Sequence, residues 1–292
     1  MEQIPLRPTD VLPISPIVHL VDRVADGTMS DDTVCTGFPS IDRWLGGGLR
    51  REDLVVLGGE VGSGKSALAL AMALRIAEAG QQVEFLSGEM TATRVMERAL
   101  AIEGRVTVDD VRQGRLDDKQ RASVGAAAVR LRQGKVRFNP LLFSDRGELE
   151  LSSGDPPPTV VIVDSLQALP QTLGVRIPGE PREEALAAQV YQLKAYAVTK
   201  GVCLILTAQL PRLAPRTDAR PTLDDFGAMG AVKEAADVVL ALYREEMYAS
   251  DAGVEGATEL HVRKNRNGTT GYVDLYFYKQ WLRFEDLLDT DR

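Results

Sequence analysis

The sequence predicts an α/β domain with a central, mostly parallel β-sheet flanked by helices and a β-hairpin near the C-terminal end. Three observations predict it. Short apolar runs such as LVVL, VVIVD and VCLIL alternate with helix-forming segments, as in strands joined by crossover helices. A Gly-rich segment, GGEVGSGKS, lies between the first of these strands and a helix. Near the C-terminal end, alternating apolar and polar residues flank Asn267-Gly268, a strong hairpin turn signal.

Composition limits the classes of protein. The chain has 292 residues and a formal net charge of −8, which argues against a surface coated with nucleic acid but allows a local basic loop. It shows neither a run of about 18 apolar residues nor a signal-peptide pattern, so we expect no membrane span and no secretion. Its two cysteines, Cys35 and Cys203, favour a reduced, cytoplasmic protein.

The chain is predicted to divide at residue 33. Residues 1–33 form an N-terminal arm and a short, linker-like helix, and residues 34–292 form the main domain. In SPIVHLVDRVADG, a serine N-cap, a proline in the first turn and apolar residues at helical spacing predict the helix, which ends near Gly27. This helix either packs on its own domain or docks on a neighbouring subunit. The polar segment TMSDDT behind it slightly favours docking.

The Gly-rich segment is a phosphate-binding loop. A buried strand over Leu54–Leu57 precedes it and a helix over Ser66–Ala79 follows, which is the structural setting that the pattern G-x-x-x-x-G-K-S requires. The glycines allow backbone N–H groups to converge on phosphate oxygens, and the helix N-terminus adds partial positive charge. A plain Gly-rich turn would not need the Lys-Ser pair. The residues predicted to contact ATP are Gly59, Glu60, Val61, Gly62, Ser63, Gly64, Lys65, Ser66 and Ala67.

Two acidic residues follow predicted strands that lead to the same edge of the sheet. QQVEFLSGEM leads to Glu89, our candidate for the base that orients and polarises the attacking water; a solvated or capping glutamate is the alternative. TVVIVDSLQAL ends its strand at Asp164, which we expect to hold Mg²⁺ together with the Ser66 hydroxyl. An aspartate that only caps a helix is the other interpretation.

A further buried strand, VCLILTAQLPR, ends at Gln209, whose amide is placed to sense a γ-phosphate. The loop behind it and the Gly/Pro-rich loop before residue 182 contain arginines. A flexible loop of this kind can follow a nucleic-acid backbone, although a solvated basic loop is the alternative. The candidate DNA-binding residues are Arg176, Arg182, Arg212, Arg216 and Arg220.

The predicted hairpin carries two cations just before its turn. Lys264 and Arg266 are two residues apart on one arm and therefore lie on the same face. Held at a hairpin tip, they could reach the γ-phosphate bound to a neighbouring subunit and neutralise charge in the transition state. A charged, solvated hairpin is the simpler alternative.

The ordered set GEVGSGKS, FLSGEM, VIVDSLQAL, LTAQLPR, EAADVVLALYREE and VRKNRNGTTG, over about residues 34–287, resembles the C-terminal motor domain of DnaB-type replicative helicases. The resemblance implies a RecA-like P-loop NTPase fold, a homo-oligomer that is a hexameric ring, ATP and Mg²⁺ between subunits, and single-stranded DNA in the pore. The family's N-terminal collar domain is expected to be absent. By the resemblance, the catalytic residues are Lys65, Glu89, Gln209, Lys264 and Arg266, and the Mg²⁺ residues are Ser66 and Asp164.

The predicted function is therefore that of an ATP-dependent DNA helicase or translocase. Two alternatives stay open at this point. RadA- and KaiC-like recombination or regulatory ATPases share the TG…GGGL segment that precedes the phosphate loop. An ATP-switched binding module without unwinding activity would retain the same nucleotide site.

Overall fold

A computed structural model describes residues 15–27, 32–144, 149–152, 154–169, 182–214, 216–248 and 254–287. The chain divides into two compact units, Met1–Thr33 and Val34–Arg292. The described part of the first unit contains helix α1 (Ser15–Ala25), on which Val18, Val21 and Val24 are exposed. The functional division at residue 33 remains a prediction. Within the ranges given above, no helix has both the length and the apolar character that a bilayer crossing requires.

The remaining elements alternate between strands and helices through most of the second unit. The strands are β1 (Thr33–Val34), β2 (Leu49–Arg50), β3 (Leu54–Gly59), β4 (Val83–Ser87), β5 (Val136–Pro140), β6 (Val160–Asp164), β7 (Cys203–Gln209), β8 (Val238–Tyr243), β9 (Ala257–Asn265), β10 (Gly271–Tyr278) and β11 (Arg283–Asp286). The helices are α2 (Pro39–Trp44), α3 (Lys65–Glu78), α4 (Ala92–Gly104), α5 (Val108–Gln113), α6 (Asp118–Gln133), α7 (Arg182–Lys200) and α8 (Ala231–Ala235).

The central sheet of the described structure contains nine strands in the order β11-β10-β9-β8-β3-β7-β6-β4-β5. The six strands from β8 to β5 are parallel, and β9, β10 and β11 continue the sheet antiparallel. This arrangement confirms the predicted α/β fold, its mostly parallel sheet and its C-terminal hairpin. Strand β11 was not predicted, because a four-residue strand with a single apolar residue, Phe284, has too little alternation to be recognised from the sequence.

Both faces of the sheet are buried along its central parallel strands. Along β3, Val55 and Leu57 point into one apolar cluster, which includes most of α3, and Leu54 and Val56 point into a second one with α7. Helices cover parallel strands in this way because the crossover connections place them on the sheet faces. This double burial explains why β3, β6 and β8 appear in the sequence as continuous apolar runs.

The strand register determines where the candidate site residues emerge. Gly59 at the end of β3 pairs with Gln209 at the end of β7, and Ser87 at the end of β4 pairs with Asp164 at the end of β6. All four strands are parallel, so their carboxyl ends lie at one edge of the sheet. Ligands gather at this edge in open α/β sheets.

Candidate active site

The phosphate loop leaves β3 and enters α3 through a left-handed backbone. The φ angles are +81° at Gly62 and +101° at Gly64, a region that residues with a Cβ rarely adopt. A Cβ at Gly64 would also lie 2.8 Å from the ring of Phe284. The glycine is therefore required both by the turn and by the close packing of β11 behind it.

Lys65 is the first residue of α3 and lies against its own loop. Its Nζ donates a hydrogen bond of 2.9 Å to the Glu60 carbonyl. Burial lowers the pKa of Lys65, and the carboxylates of Asp164 and Glu89 oppose that shift. An ammonium group held among carbonyl and carboxylate oxygens beside a helix N-terminus is suited to bind a phosphate.

Asp164 is buried at the end of β6 with only one of its two oxygens paired. Its Oδ1 accepts hydrogen bonds from Ser66 Oγ at 3.0 Å and Thr207 Oγ1 at 2.5 Å. Among the described residues its buried Oδ2 has no hydrogen-bond partner, and burial raises the pKa of Asp164. A buried carboxylate oxygen without a partner beside a serine hydroxyl fits the oxygen ligands that Mg²⁺ prefers. Thr207 was missed by sequence reasoning, although a polar residue inside CLILTAQ was a usable signal.

Glu89 lies two residues beyond β4 and is exposed at the edge where Asp164 ends its strand. Its Oε1 accepts a hydrogen bond from the hydroxyl of buried Ser165. The turn before it is fixed by two bonds: the Gly88 N–H donates to the Asp164 carbonyl at 2.7 Å, and the Met90 N–H donates to Ser87 Oγ at 2.9 Å. The carboxylate is thus oriented while one oxygen remains available.

Gln209 is the last residue of β7, and its side chain is exposed. Its backbone is held by the amide of Gln167, which accepts from the Gln209 N–H at 2.9 Å and donates to the Gln209 carbonyl at 3.1 Å. Gln167 therefore fixes the end of β7 and leaves the Gln209 amide directed outward, next to the phosphate loop.

Lys264 and Arg266 lie at the opposite ends of the parallel strands, beside the start of β8. Lys264 Nζ donates to the Lys233 carbonyl at 2.7 Å, and Arg266 Nη1 lies 3.2 Å from Asp237 Oδ1, just before β8 begins. The Asp237 N–H in turn donates to the Leu54 carbonyl at the start of β3. A strand of this length spans roughly 20 Å at about 3.3 Å per residue. These cations are therefore out of reach of the phosphate loop of their own chain.

A family model described as the DnaB-like helicase C terminal domain matches residues 33–286. The chain belongs to this family. The resemblance inferred from its motifs is thereby confirmed. A relative, the replicative DNA helicase DnaB of Geobacillus stearothermophilus, is 29% identical over 258 residues, which cover 86% of this chain and 56% of that protein. The chain thus spans little more than half the length of this relative.

Solved structures agree with membership of the DnaB-like family at the level of the fold. A DnaB-like replicative helicase, described with its interactions with primase, superimposes with a TM-score of 0.81 at 22% identity, over 96% of this chain and 68% of that one. A KaiC-like protein from Pyrococcus horikoshii gives a TM-score of 0.59 at 16% identity, over 88% and 99%. Both likenesses confirm the RecA-like fold, and the DnaB-like structure is the more similar of the two.

Two of the predicted DNA-binding arginines of this DnaB-like domain are paired with carboxylates. Arg216 makes a two-pronged contact with Asp225, and Arg220 donates to both oxygens of Glu259 at 2.7 Å. In this structure both guanidinium groups are held by carboxylates, and a DNA contact by Arg216 or Arg220 remains a prediction. Their acidic partners are 9 and 39 residues away in the chain, so only the folded loop brings them together.

The other predicted arginines differ in their surroundings. Arg212 is exposed, and no polar partner is seen for it within the described ranges; Arg182 is exposed at the start of α7. Arg176 lies outside the described residues. A DNA contact by Arg182 or Arg212 remains a prediction.

Sequence reasoning missed Arg244, which supports the phosphate loop from behind. This residue follows β8 and is buried, with its guanidinium 4.9 Å above the ring of Phe277 and paired with Glu246. Its Nη1 donates to the Gly62 carbonyl at 3.0 Å. An arginine directly after a fully apolar strand, at the edge where the loop lies, was the available signal.

We expect the stability of the domain to depend on pH, because Asp53 is partly buried close to Asp237 and Arg266. Burial, followed by the like charge of Asp237, raises the pKa of Asp53 to about 6, from an ordinary 3.8. The folded state therefore holds this proton more tightly than the unfolded chain, and stability falls as pH rises from 4 through 6. Asp53→Asn should raise the free energy of unfolding at pH 7 by about 1 kcal/mol, after allowance for partial exposure.

Urea unfolding at pH 4 and pH 7 measures this difference. The exposed Asp274→Asn is the matched control and should change neither value. If Asp53→Asn gives the same change at both pH values, or none at pH 7, the burial of Asp53 and its repulsion by Asp237 do not determine how stability depends on pH.

Proposed function

We propose that this chain hydrolyses ATP at contacts between identical subunits and uses the energy to move on single-stranded DNA and unwind duplex DNA. Membership of the DnaB-like family supports the helicase class. The observation that supports interfacial hydrolysis is the position of Lys264 and Arg266. They lie beside the amino ends of the parallel strands, whereas the phosphate loop lies at the carboxyl ends. One surface carries the nucleotide site and the other carries the cations, so copies arranged head to tail would complete each other's sites. A closed ring of six such copies is the proposed assembly.

In this proposal the phosphate loop binds the substrate. Lys65 leaves the Glu60 carbonyl and donates to the β- and γ-phosphates, and loop N–H groups donate to the remaining oxygens. Ser66 Oγ and Asp164 Oδ2 would hold Mg²⁺, which when bound neutralises charge on the phosphate oxygens. Arg244 keeps the loop backbone in position through its bond to Gly62.

Glu89 is the proposed general base. It accepts a proton from the water whose oxygen attacks the γ-phosphorus in line, while the bond to the bridging oxygen breaks and ADP leaves with that electron pair. Ser165 orients the carboxylate. Gln209 responds to the presence of the γ-phosphate. Arg266 of a neighbouring copy neutralises the charge that develops on the equatorial oxygens.

Unwinding of a forked DNA duplex tests this function. The wild-type chain should displace the strand only with hydrolysable ATP. Lys65→Ala should lower the affinity for ATP about 10- to 100-fold, because a charge-assisted hydrogen bond contributes about 1.5–3 kcal/mol, and should abolish unwinding. The control is Lys119→Ala, an exposed lysine on α6. Hydrolysis stimulated by single-stranded DNA without any strand displacement would favour the ATP-switched binding module instead.

A further inference from the structure

Glu60 joins the phosphate loop to the loop that follows β7. Its carboxylate Oε1 accepts hydrogen bonds from the Leu213 N–H at 2.6 Å and from the Tyr248 hydroxyl at 2.6 Å. Its backbone carbonyl accepts the Lys65 Nζ bond at 2.9 Å. One residue thus contacts the phosphate-binding lysine with its main chain and the neighbouring loop with its side chain.

The phosphate-binding motif does not explain this side chain, because G-x-x-x-x-G-K-S leaves the position of Glu60 unspecified. A carboxylate in a loop that binds a triphosphate is electrostatically unfavourable unless it points away from the phosphates. Oε1 contacts Leu213 in the loop after β7 and Tyr248 in the turn after β8, and these two residues belong to one packed cluster. The geometry therefore gives the carboxylate a partner other than the nucleotide.

Tyr248 extends the contact into a packed cluster. Burial, together with the hydrogen bond to Glu60, raises the pKa of Tyr248, so its hydroxyl stays protonated and remains a donor. Its ring stacks on Tyr243 with centroids 5.3 Å apart and planes 12° apart, and the Arg220 guanidinium lies 4.8 Å from the Tyr243 ring. Leu213 is buried in the same cluster. The loop after β7 is therefore held at Leu213 directly and at Arg220 through two rings.

We propose that Glu60 is a positioning residue that makes the conformation of the loop over residues 211–214 and 216–220 depend on bound nucleotide. The inference rests on the proposed nucleotide site. Lys65 gives up the Glu60 carbonyl when it binds phosphate, and the negative charge of the phosphates drives the carboxylate toward Leu213 and Tyr248. Nucleotide binding then strengthens the two hydrogen bonds that hold this loop. This route is separate from Gln209, which reaches the same loop along the backbone of β7.

Hydrogen exchange of peptides covering residues 211–220, with and without a non-hydrolysable ATP analogue, tests the inference. In the wild-type chain the analogue should slow exchange at the Leu213 amide about fivefold or more, the effect of strengthening one hydrogen bond. Glu60→Gln retains an acceptor oxygen but lacks the charge that the phosphates repel, so its loop should stay in place without the analogue and show a much smaller response to it. At a saturating concentration of the analogue, Glu60→Ala should lose the response, and Tyr248→Phe, which removes one of the two donors, should retain only part of it.

The outcomes separate this inference from the proposed function. If Glu60→Ala binds the analogue and slows exchange in the loop as the wild type does, the inference is wrong and the proposed function stands. The inference is equally wrong if the wild type binds the analogue with no change in this loop. Failure of the wild type to bind any nucleotide overturns the proposed function and with it the inference. Loss of the response in Glu60→Ala, with a reduced response in Glu60→Gln, supports the inference whether or not DNA binds. A full response in Glu60→Gln would mean that the charge of Glu60 does not carry it.

Discussion

Replacing Arg266 with alanine should lower ATP turnover by about 10³- to 10⁵-fold, the effect of removing a cation that stabilises charge on a transferring phosphoryl group. The side chain is half exposed, and it contacts Asp237 and the Glu234 carbonyl. Its loss should therefore leave the fold and the binding of nucleotide nearly unchanged. Steady-state hydrolysis, together with a separate measurement of nucleotide affinity, distinguishes an effect on kcat from one on binding.

The matched control for Arg266 is Arg105→Ala. This arginine is more exposed, at 62%, and its guanidinium lies 4.0 Å from a carboxylate oxygen of Glu285. It lies at the C-cap of α4 and has no proposed part in hydrolysis. Hydrolysis at the normal rate by Arg266→Ala would mean that the hairpin cation is only a solvated surface charge.

Glu89→Gln should lower turnover by about 10²- to 10⁴-fold, as expected for loss of a general base. The glutamine is nearly the same size and its carbonyl oxygen can still accept from Ser165, so the geometry of the site should be preserved. ATP affinity should stay the same or increase slightly, because a negative charge near the γ-phosphate is removed. Single-turnover hydrolysis with prebound ATP measures the chemical step directly.

Glu78→Gln, at the exposed end of α3, is the control for this substitution and should hydrolyse ATP normally. A Glu89→Gln chain with wild-type turnover would remove Glu89 from the mechanism. The carboxylate would then serve only to hold Ser165 at the end of β6.

Local sequence patterns predicted the parts of the site that depend on neighbouring residues. The strand, loop and helix from Leu54 to Glu78 follow from one motif, and the positions of Asp164 and Gln209 follow from the rule that parallel strands end at one edge. Each of these predictions needs only a short segment of sequence and the direction of its strand.

Contacts between distant segments could not be predicted in the same way. Arg244 reaches Gly62 across 182 residues, and Thr207 reaches Asp164 across 43. Both contacts depend on which strands are neighbours in the sheet, and a single sequence does not specify that order. The pairing of Arg220 with Glu259 has the same origin, because β9 must lie beside the loop before the two charges can meet.

Mixing two inactive variants tests the interfacial site most directly. Arg266→Ala keeps an intact nucleotide site and lacks the cation, whereas Glu89→Gln keeps the cation and lacks the base. In assemblies formed at random from equal amounts, about a quarter of the contacts combine an intact base with an intact cation. The mixture should therefore recover ATP turnover far above the sum of the two separate variants. A mixture no more active than that sum, or a wild-type chain that hydrolyses ATP at its full rate as a monomer, would contradict a site shared between two copies.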